Sequence, residues 1–583
     1  MLKRLFYSWV FIGTSLNGVK YTVMKIRRAT LLLLLIMALG AGIRFWGLAS
    51  AELTFDEGLD AFRSIGYLDY LDSADQSTPI QWFEKSDLPL WTKFSFHDDP
   101  PLFFLIQYFF LSLLGDTLFA ARLPSAVAGV ASIFLFYLIG RILFRKLSVS
   151  GTAPPKSIFG ISMADVAGLL AAFLASISFV LVWVSRLSML ESVSFFFILL
   201  NFYYFIRFSE NRRYAWHFGL TLGLAFLTKY TTFFLVPTYG AFLLITRSPL
   251  LRTRRLYGAI LISLILFSPV VIYNLYLYRT FGHFDLQFSY LFHQKTLEWQ
   301  GTSGKTQEPF SNILENLSTI YSLPFLIAAF LGLIAAVGFK KFFSSNREAT
   351  QLTSLVVLSF IFITILLFVI GSAIRFSVLY VMPAIFFIIF IAMIFLSVPK
   401  YRWLACLFIA IFLANEAFFS VSRTFLYPPR YGVVELDRYF DAALGKNPVL
   451  TGLITHPNPH LNQIIQTYTA GRQATLLPTG IIYDDNLALV PRLWLFSRRQ
   501  FYHGIPIMPA SVFEAMLGRQ SQSPFRGYTL YFVKTGPGAP LDSTSKKSGA
   551  EVEDFFKKSG QAPQAVFKDG DDFAAFTVYR FSL

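Results

Sequence analysis

The feature that most constrains this chain is its series of apolar runs of about 20 residues, each long enough to cross a bilayer as a helix. Hydrocarbon offers no water to backbone N–H and C=O groups, so a crossing segment must satisfy them internally. Runs of this kind lie near 29–48, 117–144, 163–184, 189–207, 214–229, 231–246, 256–276, 320–338, 351–371, 375–397 and 401–420, and they predict eleven spans. Charged residues make up 14% of the 583 positions. Soluble domains carry about 25%, so a wholly soluble or disordered chain is excluded. The single cysteine, Cys406, lies in an apolar run, which excludes a disulfide scaffold. The net charge of +16 is dispersed rather than gathered into a stripe, so no nucleic-acid partner is expected.

The distribution of basic residues sets the orientation. A twelfth apolar stretch, Pro100 to Gly115, is shorter and opens with two prolines. If it lies as a re-entrant or interfacial helix, the short inner segments are Met1–Arg28, Arg141–Ile161, Arg207–Tyr214, Arg247–Arg255, Phe339–Ala349 and Val398–Arg402. Together these hold 22 Lys/Arg, with few acidic neighbours (Asp165, Glu210, Glu348). Making it a full span would move most basic loops to the outer side, against the positive-inside rule. The non-crossing arrangement puts residues 1–28 in the cytoplasm, the loop 49–116 outside, and everything after 420 outside as well.

Two further N-terminal readings belong to the sequence. Ala49-Ser50-Ala51 has the small-residue pattern of a signal-peptidase site, although the preceding run has the length of a true span. Met24-Lys-Ile-Arg-Arg would be a natural start, which leaves the translation of the residues before it open. After about residue 421 the apolar runs shorten. Strand-like stretches (Val449–Ile454, Gly527–Lys534, Phe573–Phe581) then alternate with helix-like ones (Val433–Leu444, Ala510–Leu517), and Gly536–Gly549 reads as a loop. The expected organisation is a membrane domain over 29–420 and an extracytoplasmic α/β domain over 421–583.

Candidate site residues collect on the outer side. Thr54-Phe-Asp-Glu-Gly-Leu-Asp60 follows the first span directly, and adjacent acids at a membrane surface are costly unless solvated or paired. Asp56 and Glu57 are candidates to orient or deprotonate a nucleophile. Four cations break the inside bias: Arg122, Arg186, Lys229 and Arg375. Taken singly, each reads as a side chain snorkelling to the interface. Together, beside carboxylates and at headgroup depth, they suit a phosphate whose hydrocarbon tail stays in the bilayer. His283 and His293, in a later outer loop, read as ordinary loop histidines.

Asp56-Glu57 is followed by Pro100-Pro-Leu-Phe-Phe-Leu105, then by Gly115-Asp-Thr-Leu-Phe-Ala-Ala-Arg-Leu-Pro-Ser125. Ser185-Arg-Leu-Ser-Met-Leu-Glu191, Gly219-Leu-Thr-Leu-Gly-Leu-Ala-Phe-Leu-Thr-Lys229 and Arg375-Phe-Ser-Val-Leu-Tyr-Val-Met-Pro383 complete the series. In this order the chain resembles the polyprenyl-phosphate-sugar-dependent glycosyltransferases of the GT-C fold, over roughly 29–420. The nearest groups are protein O-mannosyltransferase-like and aminoarabinose-transferase-like. The resemblance implies that Asp56 is the base or acceptor-orienting group, with Glu57 beside it. It also implies that Arg122, Lys229 and Arg375 lie near the donor phosphate. Glu191 replaces the family's second-loop Asp, and His97-Asp98-Asp99 replaces the His or Glu-Lys usually found before the proline pair. Both are departures.

The implied reaction moves a sugar from a polyprenyl-phosphate donor to an acceptor hydroxyl or phosphate on the outer face, with inversion. No cofactor beyond the lipid-linked donor is required, and a divalent metal near Asp98 and Asp99 stays open. The expected partners are membrane lipid, the donor, and a glycan, lipid or protein acceptor. The expected location is a bacterial inner membrane with the site facing the periplasm. A pyrophosphate-linked oligosaccharide ligase is the alternative within the class. A lipid transporter or flippase lies outside it, and would call for inverted repeats that the sequence lacks.

Overall fold

The computed structural model describes residues 15–16, 19–20 and 28–582, except 74, 84–86, 146–156, 159, 300–309, 339–346, 372–373, 446–457, 471–477, 518–526 and 543–544. Most of the N-terminal segment, including Met24, and the strand expected over Val449–Ile454 lie outside the described residues. The membrane part begins with α1 (Arg28–Phe45), the outer helix α2 (Glu57–Gly66), the short apolar α3 (Leu102–Leu114) and α4 (Leu118–Arg145). It continues with α5 (Met163–Ile177), α6 (Phe179–Ser185), α7 (Leu190–Glu210), α8 (Ala215–Thr228), α9 (Leu235–Ile245) and α10 (Arg254–Phe281). Next come α11 (Phe310–Ile320), α12 (Leu323–Gly338), α13 (Arg347–Ile370), α14 (Val381–Ser397) and α15 (Arg402–Val421). At 13 residues α3 reaches about 20 Å, short of a hydrocarbon core of about 30 Å.

Each of the eleven predicted stretches contains helix, but the count of spans differs. Among the described residues seven helices are long and apolar enough to cross, or nine if two bent pairs each count once. Those pairs are α5–α6, bent by 58°, and Asn312–Ile320 with α12, bent by 115°. The remaining two stretches are α8 and α9, which are too short by themselves. Lys229 adopts an extended conformation between them, and a 3-10 turn follows at Tyr230–Phe234. The interruption is electrostatic: Lys229 turns its ammonium to Glu191 at 2.5 Å, a pairing that a continuous apolar helix would not present.

Beyond α15 a single π-turn (Ser422–Leu426) leads to α16 (Val433–Leu444) and α17 (Pro459–Thr469). A five-stranded mixed sheet follows, built from β1 (Thr479–Tyr483), β2 (Ile507–Pro509), β3 (Thr529–Thr535), β4 (Ala565–Lys568) and β5 (Ala574–Ser582). Its order is β2-β1-β3-β5-β4; β1 is parallel to β2 and β3, and β5 is antiparallel to β3 and β4. The helices expected at 433–444 and 510–517 occupy those residues, while a helix starting at Ser548 takes up the end of the expected 536–549 loop.

This C-terminal unit shares one apolar core with the first outer loop. Leu53, Ala61, Leu111 and Leu118 pack with Val433, Trp494, Phe496 and Val533. The polar joints are equally specific. The Glu52 carboxylate accepts the backbone N–H groups of Tyr431 (2.8 Å) and Val434 (3.1 Å), capping the start of α16. Arg498 donates to Asp437 (2.8 Å) and to the Asp116 carbonyl between α3 and α4, and His503 lies 2.8 Å from the Asp116 carboxylate. Burial would raise the Asp116 pKa, but Arg498 and then the His503 hydrogen bond hold it well below the usual carboxylate range.

Gly58 marks the tightest point of this seam, since a Cβ there would lie 2.5 Å from the Val490 carbonyl oxygen. Gly58→Val should cost about 1–3 kcal/mol by overpacking and loosen the C-terminal unit. The expected outcome is a lower melting temperature with faster limited proteolysis around 427–431; an unchanged cleavage rate would show that the seam accommodates the side chain.

Candidate active site

The turn before α2 separates two neighbouring acids. Phe55 sits at φ +51°, a left-handed conformation uncommon for a bulky residue, with its ring 5.5 Å from Trp183. Asp56 then emerges at the helix start with its side chain 40% exposed, while Glu57 is fully buried. Asp56 pairs with Arg375, whose guanidinium also lies 5.4 Å from the Phe376 ring centroid. Lys229 lies 5.5 Å from the same ring and pairs with Glu191. Phe376 therefore lies beside two cations, each with its own carboxylate, where the ends of α7, α8 and α14 meet.

Asp99 completes the group from the first loop. Burial, and next Asp98, push its pKa up to about 7, against the pull of Lys229, Arg375 and Arg63. Asp60, one turn along α2 from Asp56, is 3% exposed and also raised, by burial first and then by Asp56 and Asp99. The site thus joins Asp56, Asp60, Asp99, Glu191, Lys229 and Arg375. Sequence reasoning quoted Asp60 within its motif without assigning it a role. Its signal was the spacing of four from Asp56, which puts both on one helix face.

Three expectations are corrected. Arg122 does not face a phosphate. Its five N–H groups are all spent: on Glu57 (2.8 and 3.0 Å) and on the carbonyls of Leu48 (2.8 Å), Ala51 (2.8 Å) and Glu52 (2.9 Å). Glu57 also accepts Ser188 N–H at 2.8 Å and Thr54 N–H at 3.0 Å, so it is a buried structural acceptor rather than a proton acceptor for substrate. Arg186 donates to the carbonyls of Ile43 (2.9 Å), Arg44 (3.2 Å) and Trp46 (2.7 Å), closing the end of α1. A cation at the end of an apolar helix satisfies orphan carbonyls as readily as it binds a ligand, and the sequence pattern is the same for both.

His97 and Asp98 belong to a second network. His97 Nδ1 lies 2.8 Å from Asp69, and Arg63 donates to Asp98 at 2.9 and 3.0 Å and lies 3.2 Å from Asp69. Burial works against the charged imidazole, but Asp69 and then Asp98 keep its pKa above the ordinary value. Ligand atoms of Asp69, His97 and Asp98 lie within 4.8 Å of one another, a spacing that suits a metal ion. Arg63 already contacts both carboxylates, however, and Gln76 holds His97 Nε2 at 2.5 Å, so the set is a poor fit for a dication. The His97 carbonyl accepts Leu286 N–H (2.6 Å), beside Asp285, which in turn takes the Tyr230 hydroxyl (2.7 Å). His283 is packed edge-on to Trp82 and Trp299, and His293 is exposed.

A cavity of about 970 Å³ opens beside the Asp56–Arg375 pair, between the membrane helices and the C-terminal unit. Phe55, Trp183, Ile374 and Tyr431 give it apolar walls, and Arg186 and Arg423 line it.

Residues 98–152 and 157–273 match the family described as dolichyl-phosphate-mannose-protein mannosyltransferase. The putative mannosyltransferase YycA of Bacillus subtilis (strain 168) is 30% identical over 175 residues, 29% of this chain and 22% of that protein. The match therefore spans less than a quarter of that relative's length. ArnT from Cupriavidus metallidurans bound to undecaprenyl phosphate superposes with a TM-score of 0.50 at 13% identity, covering 95% of this chain and 98% of that one. Its apo form gives 0.49 at 15% identity over the same shares.

Replacing Arg122 tests the corrected role. Arg122→Met should lose about 3–5 kcal/mol of stability by leaving Glu57 buried and unpaired, read as a collapse of folded yield or melting temperature; a well-folded variant with weakened lipid-phosphate binding would restore the ligand role. Asp99 gives a pH test. It binds its proton more tightly folded than unfolded, so stability falls as pH rises from about 4 towards about 7. Asp99→Asn should remove that decline, gaining on wild type in thermal melts at about pH 8 relative to about pH 4; parallel curves would show that Asp99 is ionised throughout.

The resemblance read from the sequence holds at the level of fold: this is a polytopic GT-C membrane protein with glycosyltransferases among its relatives.

Proposed function

We propose that this chain is a membrane glycosyltransferase that transfers a sugar from a polyprenyl-phosphate donor to an acceptor hydroxyl or phosphate on the outer face, with inversion at the anomeric carbon. The observation that carries this reading is the convergence of two cations, Lys229 and Arg375, with Asp56 at the outer ends of the apolar helices. A lipid phosphate would reach that depth with its chain still in the bilayer. The family and relative that match are mannosyltransferases by description, and ArnT has been seen with undecaprenyl phosphate bound. Mannose is accordingly the first donor sugar to try.

The chemistry follows from the pairings. The acceptor oxygen attacks the anomeric carbon, its proton passes to Asp56, and the bond to the donor phosphate breaks. Lys229 and Arg375 stabilise the charge that grows on the leaving phosphate. In the free enzyme Arg375 belongs to Asp56. A donor phosphate competes for that guanidinium, so its arrival releases Asp56 to the acceptor. The cavity beside this pair is the place for the acceptor, with the C-terminal unit as its outer wall. The positive-inside bias supports an orientation with that unit outside, which in a bacterium is the periplasm.

The test uses the full chain in lipid nanodiscs with undecaprenyl phosphate as probe. Each of Lys229→Ala and Arg375→Ala should weaken binding about tenfold or more, in line with about 1.5–3 kcal/mol for a hydrogen bond to a charged group. Asp56→Asn should retain binding but lose turnover of undecaprenyl-phosphate-mannose. No binding by wild type, or undiminished binding by both cation variants, would overturn the reading.

A further inference from the structure

Two carboxylate oxygens at the site have no partner among the described residues. Asp60 Oδ2 is buried with no hydrogen bond, and so is Glu191 Oε2, whose sister oxygen takes Lys229. A buried polar atom left unpaired is destabilising. Asp60 is also surrounded by acids: Asp56, Asp99 and Glu191 all push its pKa up alongside burial, with only Arg63 acting against them. A carboxyl group there accepts a hydrogen bond when ionised and can also donate one when protonated.

The placement of Asp60 tells what such a group meets. Asp56 and Asp60 are four residues apart on one face of α2, so their Cβ atoms are about 5–6 Å apart, comparable to the breadth of a hexose ring. Asp56 is open at the mouth and Asp60 lies behind it. A hexose held with its anomeric carbon at Asp56 and its phosphate at Lys229 and Arg375 would bring its far hydroxyl groups within reach of Asp60. Glu191 is tied to Lys229 through one oxygen, so its unpaired oxygen lies beside one of the two cations.

We propose that Asp60, together with Glu191 Oε2, forms the subsite that hydrogen-bonds the hydroxyl groups of the transferred sugar and so sets which sugar the enzyme accepts. This rests on the donor reading above. It makes Asp60 a specificity-determining residue, with no part in proton transfer at the reacting centre.

The test compares two kinds of probe on full-length protein in nanodiscs: bare undecaprenyl phosphate, and undecaprenyl phosphate bearing mannose, glucose or N-acetylglucosamine. Wild type should bind at least one sugar-bearing lipid more tightly than the bare phosphate. Asp60→Leu should erase that preference, a loss of about tenfold or more, while binding bare undecaprenyl phosphate as wild type does and melting at the same or a higher temperature. Asp60→Asn, which keeps the shape and part of the hydrogen bonding, should fall between the two and serves if the leucine variant does not fold. An intact sugar preference in both variants would overturn the proposal. So would a parallel loss of both probes, which marks a structural residue, or a wild type indifferent to every sugar. If wild type binds not even bare undecaprenyl phosphate, the donor reading has failed first.

Discussion

The arrangement of the site depends on the buried pair of Glu57 and Arg122. Both side chains are inaccessible to water, and in that setting two charges repay their desolvation only if every remaining hydrogen-bonding position is filled. Here they are. Arg122 gathers three carbonyls from the segment after α1, and Glu57 gathers the Thr54 and Ser188 amides. One ion pair thereby ties the segment after the first span, the start of α2, the beginning of α4 and the turn before α7. Asp56 and Glu191 sit on two of those four elements, so their separation is fixed by a contact in which neither takes part.

A second set of charges fixes the roof. Asp437 accepts from the Trp494 indole (3.0 Å) and from Arg498 and Arg499 (2.8 Å each), and those arginines reach on to Asp116 and Asp441. Glu52 caps α16 from the opposite side. Glu52, Phe55, Asp56 and Glu57 fall within six residues, so the segment that receives the C-terminal unit is the one that presents the candidate base. The C-terminal unit and Asp56 are therefore joined through one short turn, and the shared apolar core helps to hold that turn in place.

The sequence was most legible where physics allows one answer. A 20-residue apolar run in lipid must be helical, so the helices were read nearly in place. Lys229 and Arg375 stood out because cations are expensive on that side of the membrane. The same cost misled the reading at Arg122 and Arg186. Lipid-buried carbonyls and lipid phosphate both attract guanidinium, and only the three-dimensional neighbourhood tells the two apart. The break at Lys229 was legible as the division between the runs 214–229 and 231–246; what the sequence did not show is that the helix on each side is too short to cross by itself. Asp69, Arg63 and Asp285 escaped notice for another reason. Each acquires its meaning from partners far along the chain: Asp69 from His97, Asp285 from Tyr230 and Asn274.

The balance of charge then constrains how the site can work. Among the described residues Asp56, Asp60, Asp99 and Glu191 are met chiefly by Lys229 and Arg375, with Arg63 engaged by Asp98 and Asp69. If all four acids were ionised, a phosphate would enter against a net negative field. The raised values at Asp60 and Asp99 ease this, because each lessens the negative charge that an entering phosphate would meet. A cation that left its carboxylate for a phosphate would leave that carboxylate in need of another partner. In the proposed reaction the compensating group at Asp56 is the acceptor's hydroxyl proton, and at Glu191 it is a sugar hydroxyl. Phosphate capture, acceptor docking and sugar recognition are therefore steps of one exchange of partners. A lipid phosphate with no sugar would complete only part of that exchange and leave Glu191 uncompensated, which favours departure of the spent carrier once the sugar has gone.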